Sequence, residues 1–308
     1  MTVIVASLLL AATSILLSLA ARLARGRVRP SVFAVVFTVA SATVASATGG
    51  LLAMACWYGA ARIGPVAAIG GWSPNLLSRR TPVPPLLSVC AGLITAGIAL
   101  ASGRLWVRRM AELRSAQQTW ATADRSGITV TRDAAIDAFA VDGTTTNRRI
   151  VLTTGLLQEL TDPALRQAVI EHERSHLRHH HLLYRLAVET AAAANPLLRP
   201  VRRSVDEALE AWADDDAARA TGPATVATAI AAVALARTSP PYRIALAIAD
   251  TSTVRRIERL LTPENPNRVG AVVGSILALS ALIILAVCCR QTETFFEVLR
   301  TATSHFRD

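Results

Sequence analysis

The sequence predicts a mostly α-helical membrane protein, with about four transmembrane helices and one extramembrane domain that carries a small β-sheet. Three observations predict it. Mean hydropathy is +0.39, ordinary for a polytopic protein and unusual for a soluble one. Four uncharged apolar stretches each reach the roughly 20 residues a helix needs to cross a hydrocarbon core. Charged residues concentrate between the third and fourth of these, where short runs rich in Ile, Val and Thr precede long helical patterns.

The first stretch runs from Val3 to Ala21. It lacks a basic segment ahead of it, and Arg22, Arg25, Arg27 and Arg29 follow it, which favours an uncleaved span with the N-terminus outside over a signal peptide. The second covers about 31–54, the third about 83–103 and the fourth 268–289. The positive-inside rule then puts 22–30 and the Arg-rich 105–267 in the cytoplasm, and the Gly- and Pro-containing loop 61–84 outside. Residues 290–308 form a short external tail in this scheme, and the protein is a multi-pass cell-membrane protein.

Net charge is +10, and all 32 basic residues are Arg. A basic excess can signal nucleic acid, but here Arg is spread along the chain without a recognition motif, so no direct nucleic-acid binding is expected. Cys56, Cys90, Cys288 and Cys289 lack metal-site spacing and lie in or beside apolar stretches, where they read as small hydrophobes; a Cys56–Cys90 disulfide stays open.

Within 105–267, Ile128 to Thr131 and Arg149 to Thr153 read as strands, with Asp142-Gly143 marking a turn between them. Asp162-Pro163 starts a helix, Asp as N-cap and Pro at the first helical position, that would run through a His cluster to about Leu183. Residues 182–194 read as an amphipathic helix packed on the domain or lying at the membrane surface. Ser204 opens another helix, with a capping box to Glu207, that stops at Gly222-Pro223.

The chemistry-bearing segment is His172-Glu173-Arg174-Ser175-His176, an H-E-x-x-H pattern inside a predicted helix. Residues four apart share a face, so both imidazoles can reach one ion, and Glu173 lies where it can take a proton from the attacking water. His180 shares that face but sits about 12 Å along the axis from His172 at 1.5 Å per residue. No Gly in 177–183 lets the chain bend back, so His179, His180 and His181 read as a solvated or membrane-proximal helix end. The third ligand must come from elsewhere. Glu210 is the candidate, with Asp214 at i+4 placed to orient a ligating His; Glu207 has its cap, and Asp215 and Asp216 read as solvated charges. This set implies one Zn²⁺ and a metallopeptidase domain of zincin type.

The run "GLLQELTDPALRQAVIEHERSHLRHHHLL", followed by "NPLLRPVRRSVDEALEAWADDDAAR", resembles the BlaR/MecR family of membrane metallopeptidases. It is more distantly similar to the HtpX and CAAX-prenyl endopeptidases, which share H-E-x-x-H…E-x-x-x-D. The likeness covers roughly 135–262. It implies zinc on His172, His176 and Glu210, Glu173 as general base, and a peptide substrate lying along an edge strand formed by Arg149, Ile150, Val151, Leu152 and Thr153. It also implies cytoplasmic cleavage of a protein partner, with a winged-helix repressor as the example. Antibiotic-sensing members carry a large external domain after the last span, whereas 290–308 follow here, so sensing by such a domain is not expected. Two other readings compete: a quality-control protease of the HtpX type, and a silent zinc-binding scaffold, against which an intact Glu173 argues. The oligomeric state is not legible.

Overall fold

The computed structural model describes residues 3–75, 84–119, 127–141, 148–237, 246–262 and scattered positions between 272 and 297. The chain is mostly helical. Three helices are long and apolar enough to cross a membrane: α1 (Val3–Ala24), α2 (Pro30–Ala60) and α4 (Pro85–Thr119). Pro30 stands in the first turn of α2, where its missing N–H costs nothing. A short α3 (Gly64–Gly70) follows, and Gly71 ends it in the left-handed region at φ 69°. The third helix does not stop at Arg104 but continues to Thr119, so the expected boundary between span and domain falls inside one rod. Of the expected fourth span, 272–277 and several later residues are helical, and the remainder lies outside the described residues, as does Asp142-Gly143. Cys56 and Cys90 are free thiols, so the disulfide left open by the sequence is not formed.

The sheet has three strands in the order β1-β3-β2, namely β1 (Ile128–Thr131), β2 (Ala138–Val141) and β3 (Arg149–Thr153). β3 pairs parallel with β1, Val151 opposite Thr129, and antiparallel with β2, Val151 opposite Phe139. The expected edge strand Arg149–Thr153 is therefore the central one. Its apolar run Ile150-Val151-Leu152 is buried, which is why it takes the middle place: both edges of its backbone are hydrogen-bonded and neither can accept a peptide. β2 is an edge of this sheet. Its residues 138 and 140 direct their backbone groups away from β3, because Thr153 N donates to Asp137 O on the opposite parity.

Thr153 caps α5 (Thr154–Glu159), accepting from Leu156 N at 3.2 Å, and Asp162 caps α6 (Pro163–Arg178), accepting from Ala164 N at 2.8 Å. Gly155 has no room for a side chain: a Cβ would lie 2.3 Å from Ala134 O and 2.5 Å from Ala135 O. Leu156, Leu160 and Leu177 close on Ile150 and Leu152, fixing α6 to the sheet.

α6 ends earlier than expected, at Arg178, because His180 turns into the left-handed region at φ 53°. His is among the side chains that tolerate this conformation, and Arg148 Nη2 lies 2.7 Å from its Nδ1. The chain thus reverses without a glycine into α7 (His181–Ala194). Asn195 caps a 3-10 turn, Pro196–Leu198, that leads directly into α8 (Arg199–Thr221). Pro200 lies in the first turn of α8, so Ser204 is internal rather than a cap, and its Oγ donates back to Pro200 O. Glu207 pairs with Arg25 at 2.8 Å instead of closing a capping box. Gly222 at φ 92° ends α8, and α9 (Pro223–Arg237) and α10 (Leu246–Leu261) follow. The 182–194 segment packs against α2 and α8, sharing one core in which Val188, Ala191, Leu198, Val201, Val205 and Leu209 meet Leu17, Phe33 and Phe37 of the spans.

Candidate metal centre

α6 presents His172 and His176 one turn apart, and α8 crosses it to bring Glu210 alongside. The two Nε2 atoms are 3.2 Å apart, and the Glu210 carboxylate lies 3.4 Å from one and 3.6 Å from the other. Donors each about 2 Å from a tetrahedral zinc stand roughly 3.3 Å from one another, close to these separations, in which Glu210 turns Oε2 to His172 and Oε1 to His176. His172, His176 and Glu210 are the group among the described residues able to hold a metal. Two neutral imidazoles and one carboxylate are a zinc-type donor set that leaves a coordination place free.

Each His turns its other nitrogen to a fixed partner. His172 Nδ1 is 3.0 Å from Asp214 Oδ1, and Asp214 is wholly buried. Asp214 thus stands within hydrogen-bond reach of the His172 nitrogen that does not face His176 and Glu210. Arg256 of α10 donates to Asp214 from Nε at 2.8 Å and from Nη2 at 2.6 Å, a bidentate clamp. His176 Nδ1 is 2.7 Å from His181 Nδ1. His181 is 1% exposed, so it is a core residue and not the solvated helix end expected from sequence. The left-handed turn at His180 swings it back beside His176. Trp212 of α8 covers it, ring centroids 5.0 Å apart, and stacks on His179 at 4.4 Å. Asp216 is likewise buried, contrary to expectation, because Ser175 Oγ and His179 Nε2 both lie 2.8 Å from its Oδ2 and satisfy it. Asp215 pairs with Arg259 at 2.7 Å.

The electrostatics follow from this crowding. Burial raises the Glu173 carboxyl to about 7, against the pull of His172 and of the Ala140 N–H that donates to it. Burial lowers His176 to about 4. For His172 burial acts to lower the pKa, but the bonds to Asp214 and Glu210 outweigh it and lift it to about 9. Glu210 is desolvated too, yet His172, His176 and Arg256 hold it well below the usual carboxylate range. Arg185 of α7 also donates to Glu210. Arg174 pairs with Glu171 and the Tyr184 ring packs edge-on to Trp212, whereas Arg185 and Arg256 pair with Glu210 itself.

Residues 104–239 match the model of peptidase family M48. The match supports an M48-type metallopeptidase, a hydrolase, and with the three apolar helices a membrane-associated one. M48 peptidases are metal-dependent, typically on zinc, in keeping with the His-His-Glu cluster. No curated protein and no solved structure matches the chain. The matched region ends before α10, so Arg256 lies beyond it. No site role was expected of Arg185 or Arg256, and His181 was expected in a solvated helix end. His181 left a faint signal, its place in an unusual run of His, whereas Arg256, 42 residues from Asp214, left none.

Proposed function

We propose that the protein is an integral-membrane, zinc-dependent endopeptidase that hydrolyses peptide bonds of a protein substrate at its Arg-rich, cytoplasmic face. The observation that carries this reading is the convergence of His172, His176 and Glu210 with Glu173 beside them on the same helix. His172, His176 and Glu210 would hold a zinc ion, which would supply Lewis acidity for acidifying a water and polarising a carbonyl. Glu173 receives the proton of the attacking water and passes it to the amine nitrogen of the leaving fragment. Arg185 and Arg256 place positive charge next to Glu210, where it can offset negative charge developing on the scissile carbonyl.

With β3 central, the substrate strand falls to β2. The outer edge of β2 faces the site: its Ala140 N–H donates to Glu173, a bond that an added peptide strand would replace. An extended peptide added there lies between the sheet and the cluster. Cleavage of one defined partner, such as a winged-helix repressor as in BlaR/MecR-type signalling, is the substrate class this reading carries forward.

The test is bound zinc and peptide cleavage by the detergent-purified protein, for wild type, Glu173→Ala and Glu210→Ala. Wild type is expected to hold one zinc and cut, Glu173→Ala to keep the metal and not cut, and Glu210→Ala to lose the metal. Zinc without cleavage, or cleavage unaltered in Glu173→Ala, would leave a metal-stapled scaffold in place of a peptidase.

A further inference from the structure

The turn between α7 and α8 is held by polar groups that belong to the middle of the membrane spans. Asn195 Nδ2 donates to Ser14 Oγ at 2.9 Å and reaches Thr48 Oγ1 at 3.5 Å. Ser18 Oγ donates to Leu197 O at 2.6 Å. Ser14 stands at the centre of α1, and Thr48 close to the centre of α2. Ten residues separate Ser14 from Ala24 at the end of α1, about 15 Å of helix.

Arg25, just past the end of α1, pairs with Glu207 and also donates to Ser204 Oγ at 2.8 Å. Glu207 lies eight residues along α8 from Arg199, about 12 Å. Arg109 pairs with Glu189 of α7 at 2.6 Å, and Glu189 lies six residues before Asn195, about 9 Å. Ion pairs on both legs of the hairpin thus stand level with the basic ends of the spans, and the turn lies well past them toward the span centres.

We propose that α7, the Pro196–Leu198 turn and α8 form a re-entrant hairpin whose tip sits in the hydrocarbon layer and contacts lipid acyl chains. This rests on reading α1 and α2 as membrane-crossing. The composition of the tip suits the place. Leu197 is 43% exposed and Pro196 is exposed as well, giving the lipids an apolar contact. Ala191 and Ala192 are buried, letting the helices approach closely. The Asn195 amide is fully occupied, its Oδ1 accepting from Leu197 N at 3.1 Å, as a polar group away from water requires. Arg202 reaches Glu189 at 3.6 Å, and the exposed Arg199 has a side chain long enough to snorkel toward the interface. Glu210 lies eleven residues along α8 from Arg199, about 17 Å. The metal cluster therefore sits at the membrane surface and not in a freely projecting domain.

The experiment uses the full-length chain in phosphatidylcholine–phosphatidylglycerol nanodiscs, with the native cysteines replaced and single nitroxide labels introduced by Leu197→Cys, Leu16→Cys or Leu183→Cys. Leu16 (53% exposed) marks the middle of α1, and Leu183 (61% exposed) marks the metal end of α7. Relative accessibility to oxygen and to a nickel chelate gives depth, and retained zinc shows that each variant is folded. Leu197 and Leu16 are expected to read as hydrocarbon, and Leu183 as aqueous or interfacial. A water-exposed label at 197 with a hydrocarbon reading at 16 overturns the hairpin while leaving the spans standing. A water-exposed label at 16 removes the membrane reading of α1 and the hairpin with it.

Discussion

Arg256 grips Asp214 through two hydrogen bonds of 2.8 and 2.6 Å, and Asp214 in turn sits 3.0 Å from Nδ1 of His172. The chain of contacts runs from α10 through a wholly buried carboxylate to a metal-facing imidazole. Removing Arg256 leaves that carboxylate without its cation. Arg256→Leu is expected to weaken zinc binding by about 10–100-fold, the usual cost of losing such outer partners. It should also lower stability by at most about 3 kcal/mol, the low end for a broken buried pair, because the Arg256 side chain is 27% exposed. Competition with a chromophoric chelator and thermal melts measure the two effects. Unchanged affinity would show that Arg256 serves packing alone.

Glu173→Gln keeps the shape of the side chain and removes its basicity. Zinc content is expected to match wild type, while kcat falls by about 10²- to 10⁴-fold. Metal analysis and single-turnover cleavage separate these outcomes, and a full-speed glutamine variant would assign the base elsewhere.

His181 accepts from His176 Nδ1–H when His176 offers Nε2 to a metal. His181→Phe keeps an aromatic ring but no acceptor, and zinc affinity should drop by about 10-fold or more. In His181→Asn the amide oxygen can stand near the lost Nδ1, so part of the affinity should return. Equal losses in the two variants would mean that the ring only fills space.

Two pH effects follow from the pKa directions. Glu173 acts as a base only when ionised, so kcat/KM should rise with pH along an acid limb. That limb is expected at or below pH 7, because burial raises the carboxyl to about 7 and a dication beside it acts the other way. His172, lifted to about 9 without metal, must lose its proton to bind zinc. Apparent zinc affinity should therefore climb by about tenfold per pH unit below pH 9. Zinc titrations across pH 6–9 check this, and a flat profile would show that His172 is neutral throughout.

Local signals were the most legible part of the molecule. The apolar runs of α1, α2 and α4, the Asp162-Pro163 start of α6 and the four-residue spacing of His172 and His176 are properties of neighbouring residues, and one helix face places both imidazoles together. The choice of Glu210 over Glu207 also came from spacing, because Asp214 repeats one turn further on the same face.

What the sequence determined by itself is the apolar helices, two of the three strands, the start of α6 and the chemistry of one helix face. The tertiary structure alone decided which strand is central, since short strands carry no record of their partners and the buried Ile150-Val151-Leu152 run was claimed from both sides. It decided that His181 is a core residue, through one left-handed turn at His180 that no glycine announces. It also brought Arg256 to Asp214 and Asn195 to Ser14, pairs 42 and 181 residues apart. Contacts of that range form only when whole helices cross, and the angle of crossing is set by packing over the full length of each helix, not by the residues that finally meet.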